Sequence, residues 1–179
     1  MVLFFTLVFL ILLGSFILFG GFKKINFQTR NAGGESLIFE NVRGSYHNAY
    51  KLYEKVYKEL LDDYKIEATR AFGIYYDDPK KTAQISLYSI IGCIVENIDK
   101  KTLEKVTKTL EYKVLPEGEY LVTEFPFRGS FSIIIGMTKV HPLVRKFLKE
   151  NSYETAEIVE IYDYPNNKII YMTPLRKRE

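Results

Sequence analysis

The chain opens with 22 residues that contain no charged side chain, MVLFFTLVFLILLGSFILFGGF. A helix of about 20 apolar residues is long enough to cross the hydrocarbon core of a bilayer. Lys23 and Lys24 follow the run and no basic side chain precedes it, which predicts a cytosolic C-terminal side. A cleaved signal peptide is the alternative, but it would have a basic start, a shorter apolar core and a small-residue cleavage site. The pattern predicts a transmembrane anchor at residues 1–22, held in the lipid bilayer.

Hydrophobic spacing then separates a stalk from a first group of regular elements. Residues 23–35 show no sustained period and are predicted to form a short stalk that contains a first strand around Ile25 to Gln28. The segment 36–42 has the composition of a strand, and Gly44 and Ser45 break it and cap a helix that runs to about residue 64. Apolar side chains recur there at every third or fourth position and form one face of the helix: Tyr46, Ala49, Tyr50, Tyr53, Val56, Tyr57, Leu60 and Leu61.

Two strands complete this group, and the same order of elements then repeats. The segments 69–79 and 82–95 are rich in β-branched and aromatic residues, and the first closes in an Asp-Asp-Pro turn. After a short amphipathic helix and a strand, the repeat is predicted as strand, helix, strand and strand at 119–129, 130–151, 156–165 and 168–175. Pro142 disfavours helix at the residue before it, so a break is expected within the helix at 130–151.

The sequence therefore predicts an α+β domain at residues 36–175, built from two β-α-β-β modules at about 36–96 and 111–175. The middle strand of each module ends in a similar aromatic, acidic and proline sequence, IYYDDP and EIYDYP, which favours a duplication. We expect one helix per module on one face of an antiparallel sheet, with the opposite face left open as a groove.

Composition and charge remove several classes of function. The chain has 179 residues, 47% of them hydrophobic, and a net charge of +3 with its charges interspersed, so no direct nucleic-acid binding is expected. Cys93 is the only cysteine and lies in an apolar run, which predicts a buried core residue. His47 and His141 do not have metal-ligand spacing, and no phosphate-binding glycine motif is present. We therefore expect neither a metal nor a cofactor.

Glu160 is the main candidate for ligand contact. Strand alternation places Ile158, Glu160 and Tyr162 on one face of a strand, and Val159 and Ile161 on the other. A carboxylate between an aliphatic and an aromatic neighbour is costly to bury unless it is paired. The alternative is a structural glutamate that is satisfied by a backbone amide or a lysine.

Tyrosines could form the walls of a binding groove around Glu160. Tyr46, Tyr75, Tyr76 and Tyr162 are candidates for stacking or cation–π contact with a ligand. The chain has 14 tyrosines, so core packing is the alternative for each of them. The acidic pair before Pro79 is interpreted as a turn and not as paired catalytic carboxylates.

Several motifs follow one another along the chain in a recognisable order: Gly44, Tyr46, IYYDDP (74–79), EFPF (124–127), TKVHP (138–142), EIY (160–162) and YMTPL (171–175). They resemble the GyrI-like domain family, and within it the membrane-anchored type that acts as an endoplasmic-reticulum receptor for selective autophagy. The resemblance implies a glutamate of an E-x-Y strand that holds cationic or polar ligands, which is Glu160 here. It also implies autophagy proteins or an AAA unfoldase as partners. Some members hydrolyse small strained electrophiles, but a non-enzyme is expected.

Two functions remain open at this stage. The first is a single-pass membrane adaptor of the endoplasmic reticulum with a cytosolic GyrI-like binding domain. It lacks the motif-bearing tail of the receptors that it resembles, since the sequence stops four residues after Leu175. Possible autophagy motifs at 39–42 and 112–115 fall in predicted strands, so direct binding of a ubiquitin-like partner is not expected. The second is a membrane-tethered protein that binds or hydrolyses a small molecule through Glu160.

Overall fold

The protein folds around an eight-stranded sheet in which every neighbouring pair is antiparallel. The computed structural model describes residues 1–46 and 49–178. The strands, in chain order, are β1 Gln28–Ala32, β2 Ser36–Arg43, β3 Arg70–Tyr75, β4 Tyr88–Val95, β5 Glu111–Val114, β6 Gly118–Pro126, β7 Ile158–Asp163 and β8 Lys168–Pro174. The helices are α1 Val2–Leu18, α2 Ala49–Tyr64, α3 Lys100–Val106 and α4 Ser130–Glu150, with a short 3-10 turn at Gln84–Ser86.

The predicted α+β class and antiparallel sheet are confirmed, and the strand order repeats. The sheet runs β1-β6-β8-β7-β3-β4-β2-β5. In the first half, the series β2, α2, β3, β4 places its strands in the order β3-β4-β2. In the second half, the series β6, α4, β7, β8 places them as β7-β8-β6. The two halves meet at the β3–β7 pair, where Gly73 lies directly opposite Glu160.

Two short connections close the sheet on itself. Residues 33–35 join β1, at one edge, to β2, which is second from the other edge, and residues 115–117 join β5 to β6 in the same way. A link of three residues spans only about 14 Å, so the two edges must come together. Main-chain hydrogen bonds join the links, since Gly34 donates to Leu115 (2.8 Å) and Leu115 donates to Glu35 (2.9 Å).

The helix-free face of the sheet is therefore an interior and not the open groove that the sequence predicted. A single buried cluster fills it, with side chains from both halves of the sheet: Leu37, Phe39, Phe72, Ile74, Ile90, Ile94, Leu115, Tyr120, Val122, Val159, Ile161 and Met172. α2 and α4 cover the other face. α2 packs Val56 and Leu60 over β2 and β4, and α4 packs Val140, Val144 and Leu148 over β6 and β8.

The predicted transmembrane anchor is wrong. Within residues 1–46 and 49–178, none of the helices combines the length and the apolar character that crossing a membrane requires. The apolar run extends to Phe22, but α1 stops at Leu18 because the chain turns at Gly20, which has a φ of 89°. Its 17 residues span about 26 Å, less than the roughly 30 Å of a hydrocarbon core. The single-pass location in the endoplasmic reticulum, which rested on this anchor, is wrong as well.

The predicted break at Pro142 is also absent, because α4 is continuous through it. Proline removes one helical hydrogen bond and disfavours helix at the preceding residue. The apolar stripe that α4 buries on both sides of Pro142 outweighs this local preference, since most helical stability in proteins comes from tertiary packing.

Candidate functional site

A cavity of about 670 Å³ opens on the helix-covered face of the sheet, between α2 and α4 and above β3 and β7. Its walls are mostly apolar, and α4 contributes Ile133, Ile134 and Met137 to them. Five tyrosine side chains also line it: Tyr46, Tyr53, Tyr75, Tyr162 and Tyr164. The cavity forms here because α2 and α4 make most of their sheet contacts with the strands on either side of the central β3–β7 pair.

Glu160 lies beneath the cavity floor and is fully buried. One carboxylate oxygen, Oε1, is 2.6 Å from Nε2 of His141, which α4 presents from above. The other, Oε2, accepts a hydrogen bond from the hydroxyl of Tyr162, two residues along the same strand. The predicted ligand-contacting carboxylate is therefore one layer below the cavity surface, with both oxygens occupied by the protein.

Three phenols surround this carboxylate and remain neutral. Burial and the negative charge of Glu160 raise the pKa of Tyr75, Tyr162 and Tyr171 well above the usual value of 10.0. The ring of Tyr75 lies over Gly73, where a Cβ atom would come within 2.9 Å of its hydroxyl oxygen. The absent side chain at position 73 therefore makes room for an aromatic wall beside Glu160.

The raised pKa values lead to a prediction about alkaline pH. A tyrosine whose folded-state pKa lies above its unfolded value stabilises the fold below about pH 10, and that contribution is lost as the pH rises further. We expect Tyr75, Tyr162 and Tyr171 to ionise only as the chain unfolds. Absorbance at 295 nm, recorded with circular dichroism during an alkaline titration, measures both. Complete ionisation of all 14 tyrosines in a folded protein would contradict the prediction.

The structure separates the predicted tyrosines. Tyr46 and Tyr162 line the cavity, and the Tyr46 ring meets Tyr75 edge to face at 4.9 Å. The Tyr46 hydroxyl donates weakly to the main-chain oxygen of Tyr88 (3.3 Å). Tyr76 lies outside the cavity, where it stacks on Tyr88 at 5.1 Å and accepts a hydrogen bond from Lys113 (3.0 Å). Tyr76, predicted as a ligand contact, is therefore not part of this cavity.

Sequence reasoning missed His141, Tyr53 and Tyr164 as site residues. His141 was visible only as part of the TKVHP motif, and its position 19 residues before Glu160 gives no local signal of contact. Cys93 is buried as predicted, and burial raises its thiol pKa to about 12, so it is not a reactive thiolate. His47 lies outside the described residues. Across residues 1–46 and 49–178, no group of three potential metal ligands comes together.

The acidic pair after Tyr76 behaves as a turn. Asp77 accepts the main-chain N–H of Tyr88 (2.7 Å), and Asp78 accepts that of Lys80 (3.0 Å) and pairs with Arg145 at 3.4 Å. These contacts fix the entry to β4 at the edge of the cavity.

Comparison with known proteins agrees with this architecture. A family model described as the GyrI-like small molecule binding domain matches residues 36–173, and the chain belongs to this family. Testis-expressed protein 264 of Homo sapiens is 24% identical over 176 residues, which cover 94% of this chain and 55% of that protein. The chain thus spans about half the length of this curated relative. The match supports the family and does not establish the membrane-anchored receptor type.

Solved structures share the fold at low sequence identity. The C-terminal domain of EcmrR superposes with a TM-score of 0.59 at 9% identity, and the match covers 86% of this chain and 99% of that one. SAV2435, solved bound to tetraphenylphosphonium, gives a TM-score of 0.59 at 12% identity, with coverage of 84% and 94%. These likenesses concern the fold alone.

Proposed function

We propose that the cavity between α2 and α4 binds a bulky, largely apolar small molecule that carries a positive charge. The observation that carries this proposal is a cavity lined by five tyrosine rings directly above a buried glutamate. Family membership gives the general class, a small-molecule-binding domain, and the cavity chemistry gives the class of ligand.

The size and lining of the cavity suit an organic molecule of drug-like size. Ligand sites typically measure about 300 to 1,000 Å³ and combine apolar walls with a few polar groups. The volume of about 670 Å³ falls in the middle of this range. Ile133, Ile134 and Met137 supply aliphatic and thioether surface on one side, and Met137 can adapt to irregular ligand shapes.

The charge preference follows from the tyrosines and Glu160. Tyrosine ring faces attract cations by about 0.5 to 2 kcal/mol, more when water is excluded. A carboxylate in a low-dielectric setting adds a negative field that reaches into the cavity. The same fold is known bound to tetraphenylphosphonium, an aromatic cation, in SAV2435.

Binding of tetraphenylphosphonium, measured by isothermal titration calorimetry, tests this function. We expect saturable binding at one site, and Met137→Trp should weaken it by about tenfold or more, which is about 1.4 kcal/mol, because the indole would fill the cavity. Leu143→Trp is the matched control, since this side chain is 39% exposed on the same helix and does not line the cavity. Equal affinity in both variants would place the ligand elsewhere.

We propose binding and not catalysis for this site. Both oxygens of Glu160 are already engaged, by His141 and Tyr162, so the carboxylate is not poised as a base toward the cavity. The family description, a small molecule binding domain, agrees with this proposal.

The adaptor role with autophagy or unfoldase partners stays a prediction, and the structure bears on one part of it. The candidate motif at 39–42 lies in β2, where all four residues pair with β4 and Phe39 also pairs with β5, and Phe39 and Val42 are buried. In the candidate at 112–115, Leu115 is only 3% exposed. We expect no binding of a ubiquitin-like autophagy protein with a dissociation constant below about 10 μM, or about 7 kcal/mol, in a calorimetric titration. Tighter binding would require a recognition mode on the folded surface.

A further inference from the structure

The buried carboxylate beneath the cavity already has a partner that can carry a positive charge. We propose that His141 competes with a cationic ligand for Glu160. Binding of the cation then displaces a proton from the His141–Glu160 pair. This inference rests on the proposed function of the cavity, and it makes His141 a residue that sets both charge specificity and pH dependence.

The geometry of the pair defines what a cation must replace. His141 Nε2 lies 2.6 Å from Glu160 Oε1. His141 is 8% exposed and Glu160 is 0% exposed. A fully buried carboxylate without a neutralising proton or cation is costly, and the imidazole at 2.6 Å is placed to supply that proton. Whether that proton resides on the imidazole or on the carboxyl, a ligand that takes over the negative charge of Glu160 must displace it.

The other titratable groups around Glu160 cannot neutralise it. Tyr162 on the same strand, Tyr75 on β3 and Tyr171 on β8 are phenols held in the neutral form by burial and by the nearby carboxylate. The residue opposite on β3 is Gly73, which has no side chain. Neutral phenols can only donate hydrogen bonds, so a residue that neutralises the charge of Glu160 must come from α4.

On α4, the basic residue one turn beyond His141 is already committed. Arg145 pairs with Asp78 at 3.4 Å at the edge of the cavity. Lys139, two residues before His141, donates to the main-chain oxygens of Gly21 (2.5 Å) and Lys23 (2.7 Å). Of the basic side chains that the structure describes, His141 is the one in contact with Glu160.

Tyr162 provides the physical route between the cavity and the pair. Its ring lines the cavity while its hydroxyl binds Oε2 of Glu160. Rotation of this ring would expose the carboxylate to a bound molecule without moving the strand. Pro142, within α4, has no N–H to donate to the carbonyl oxygen of Thr138, a residue that lines the cavity. This carbonyl therefore lacks its usual helical donor and adds a polar group beside Tyr162.

Competition of this kind has a quantitative signature. When binding of a ligand displaces one proton, the affinity rises by up to about tenfold for each unit of pH. A neutral ligand of similar shape displaces no proton, so its affinity stays constant over the same range. The ratio of cation to neutral affinity therefore increases with pH.

Calorimetry on the wild-type chain measures the proton directly. Tetraphenylphosphonium is titrated in two buffers of different ionisation enthalpy from about pH 5.5 to about pH 8, the range in which histidine can act as a switch. Triphenylphosphine oxide, which is neutral and has similar aryl groups, is the matched probe. We expect release of about one proton per bound cation at the lower pH values, and none for the neutral probe.

The variant His141→Gln separates the histidine from other sources of pH dependence. The amide can still donate a hydrogen bond to Glu160 but cannot carry the exchangeable proton. We expect its affinity for the cation to become independent of pH, with proton release reduced to near zero. Lys146→Gln, on the exposed side of α4, is the control and should behave as the wild type. Thermal unfolding of each variant checks that it is folded.

The outcomes distinguish the inference from the function beneath it. Cation binding without proton release in the wild type would overturn the role of His141 and leave the binding function in place. Unchanged proton release in a folded His141→Gln protein would overturn it too. Failure of both probes to bind at any pH would remove the proposed function and the inference with it.

Discussion

Replacing His141 with alanine is expected to lower the free energy of unfolding by about 3 to 5 kcal/mol, the usual cost of removing one partner of a buried ion pair. Glu160 is fully buried, and without His141 its carboxylate would keep only the hydroxyl of Tyr162. The space left by the imidazole adds a cavity term beside Tyr171, whose ring meets His141 at 5.9 Å. Urea denaturation followed by circular dichroism measures the change.

A double-mutant cycle distinguishes loss of the pair from loss of packing. His141→Leu combined with Glu160→Met replaces both polar groups by apolar ones, and such exchanges are often neutral or stabilising. We expect the double variant to be more stable than either single variant. If the two losses simply added, the pair would contribute no coupling energy, and His141 would be a packing residue only.

Gly92→Ala is expected to destabilise the protein by about 3 kcal/mol or more, at or above the upper end of the range for overpacked sites. A Cβ atom at this position in β4 would lie 2.0 Å from the carbonyl oxygen of Ile38 and 2.7 Å from Cα of Phe39. Both are backbone atoms of the neighbouring strand β2, so relief requires the strands to separate. Thermal and urea unfolding would show a large shift or the absence of a folded state.

Gly118→Ala is the matched control for this substitution. Gly118 also lies in a strand, β6, but nothing comes within 4 Å of a Cβ atom built on it. Its replacement should change stability by no more than about 0.5 kcal/mol, as for ordinary surface sites. Equal losses at the two glycines would mean that the close approach of β2 and β4 is not the cause.

Much of the fold follows from local patterns along the chain. Strand and helix periods placed the elements of both halves in the right order, because each buries one apolar face. Closure of the sheet could not be predicted in the same way. Residues 33–35 and 115–117 are ordinary short connections in sequence, and only the strand order shows that they join opposite edges. The groove was therefore placed on the wrong face.

The sequence predicted which side chains of one strand share a face, but not which residues of other elements they contact. Alternation correctly placed Glu160 and Tyr162 on the face opposite Val159 and Ile161, which are part of the interior cluster. It could not identify the partner from another element, so His141 was missed. Tyr76 shows the sensitivity of such reasoning to register, because the residue before it, Tyr75, lines the cavity while Tyr76 faces away from it.

The pairing of Gly73 with Glu160 has a consequence for how the duplicated modules came to share one site. The repeat aligns GIY at 73–75 with EIY at 160–162, so an approximate rotation axis passes between these two residues. A molecule on that axis would contact both copies. Identical copies would place two glutamates directly opposite each other, with Cβ atoms about 5 Å apart, where like charges are destabilising. With glycine in one copy, a single carboxylate lies beneath the cavity. In the proposed function, this one departure from symmetry matches the cavity to a ligand with a single positive charge.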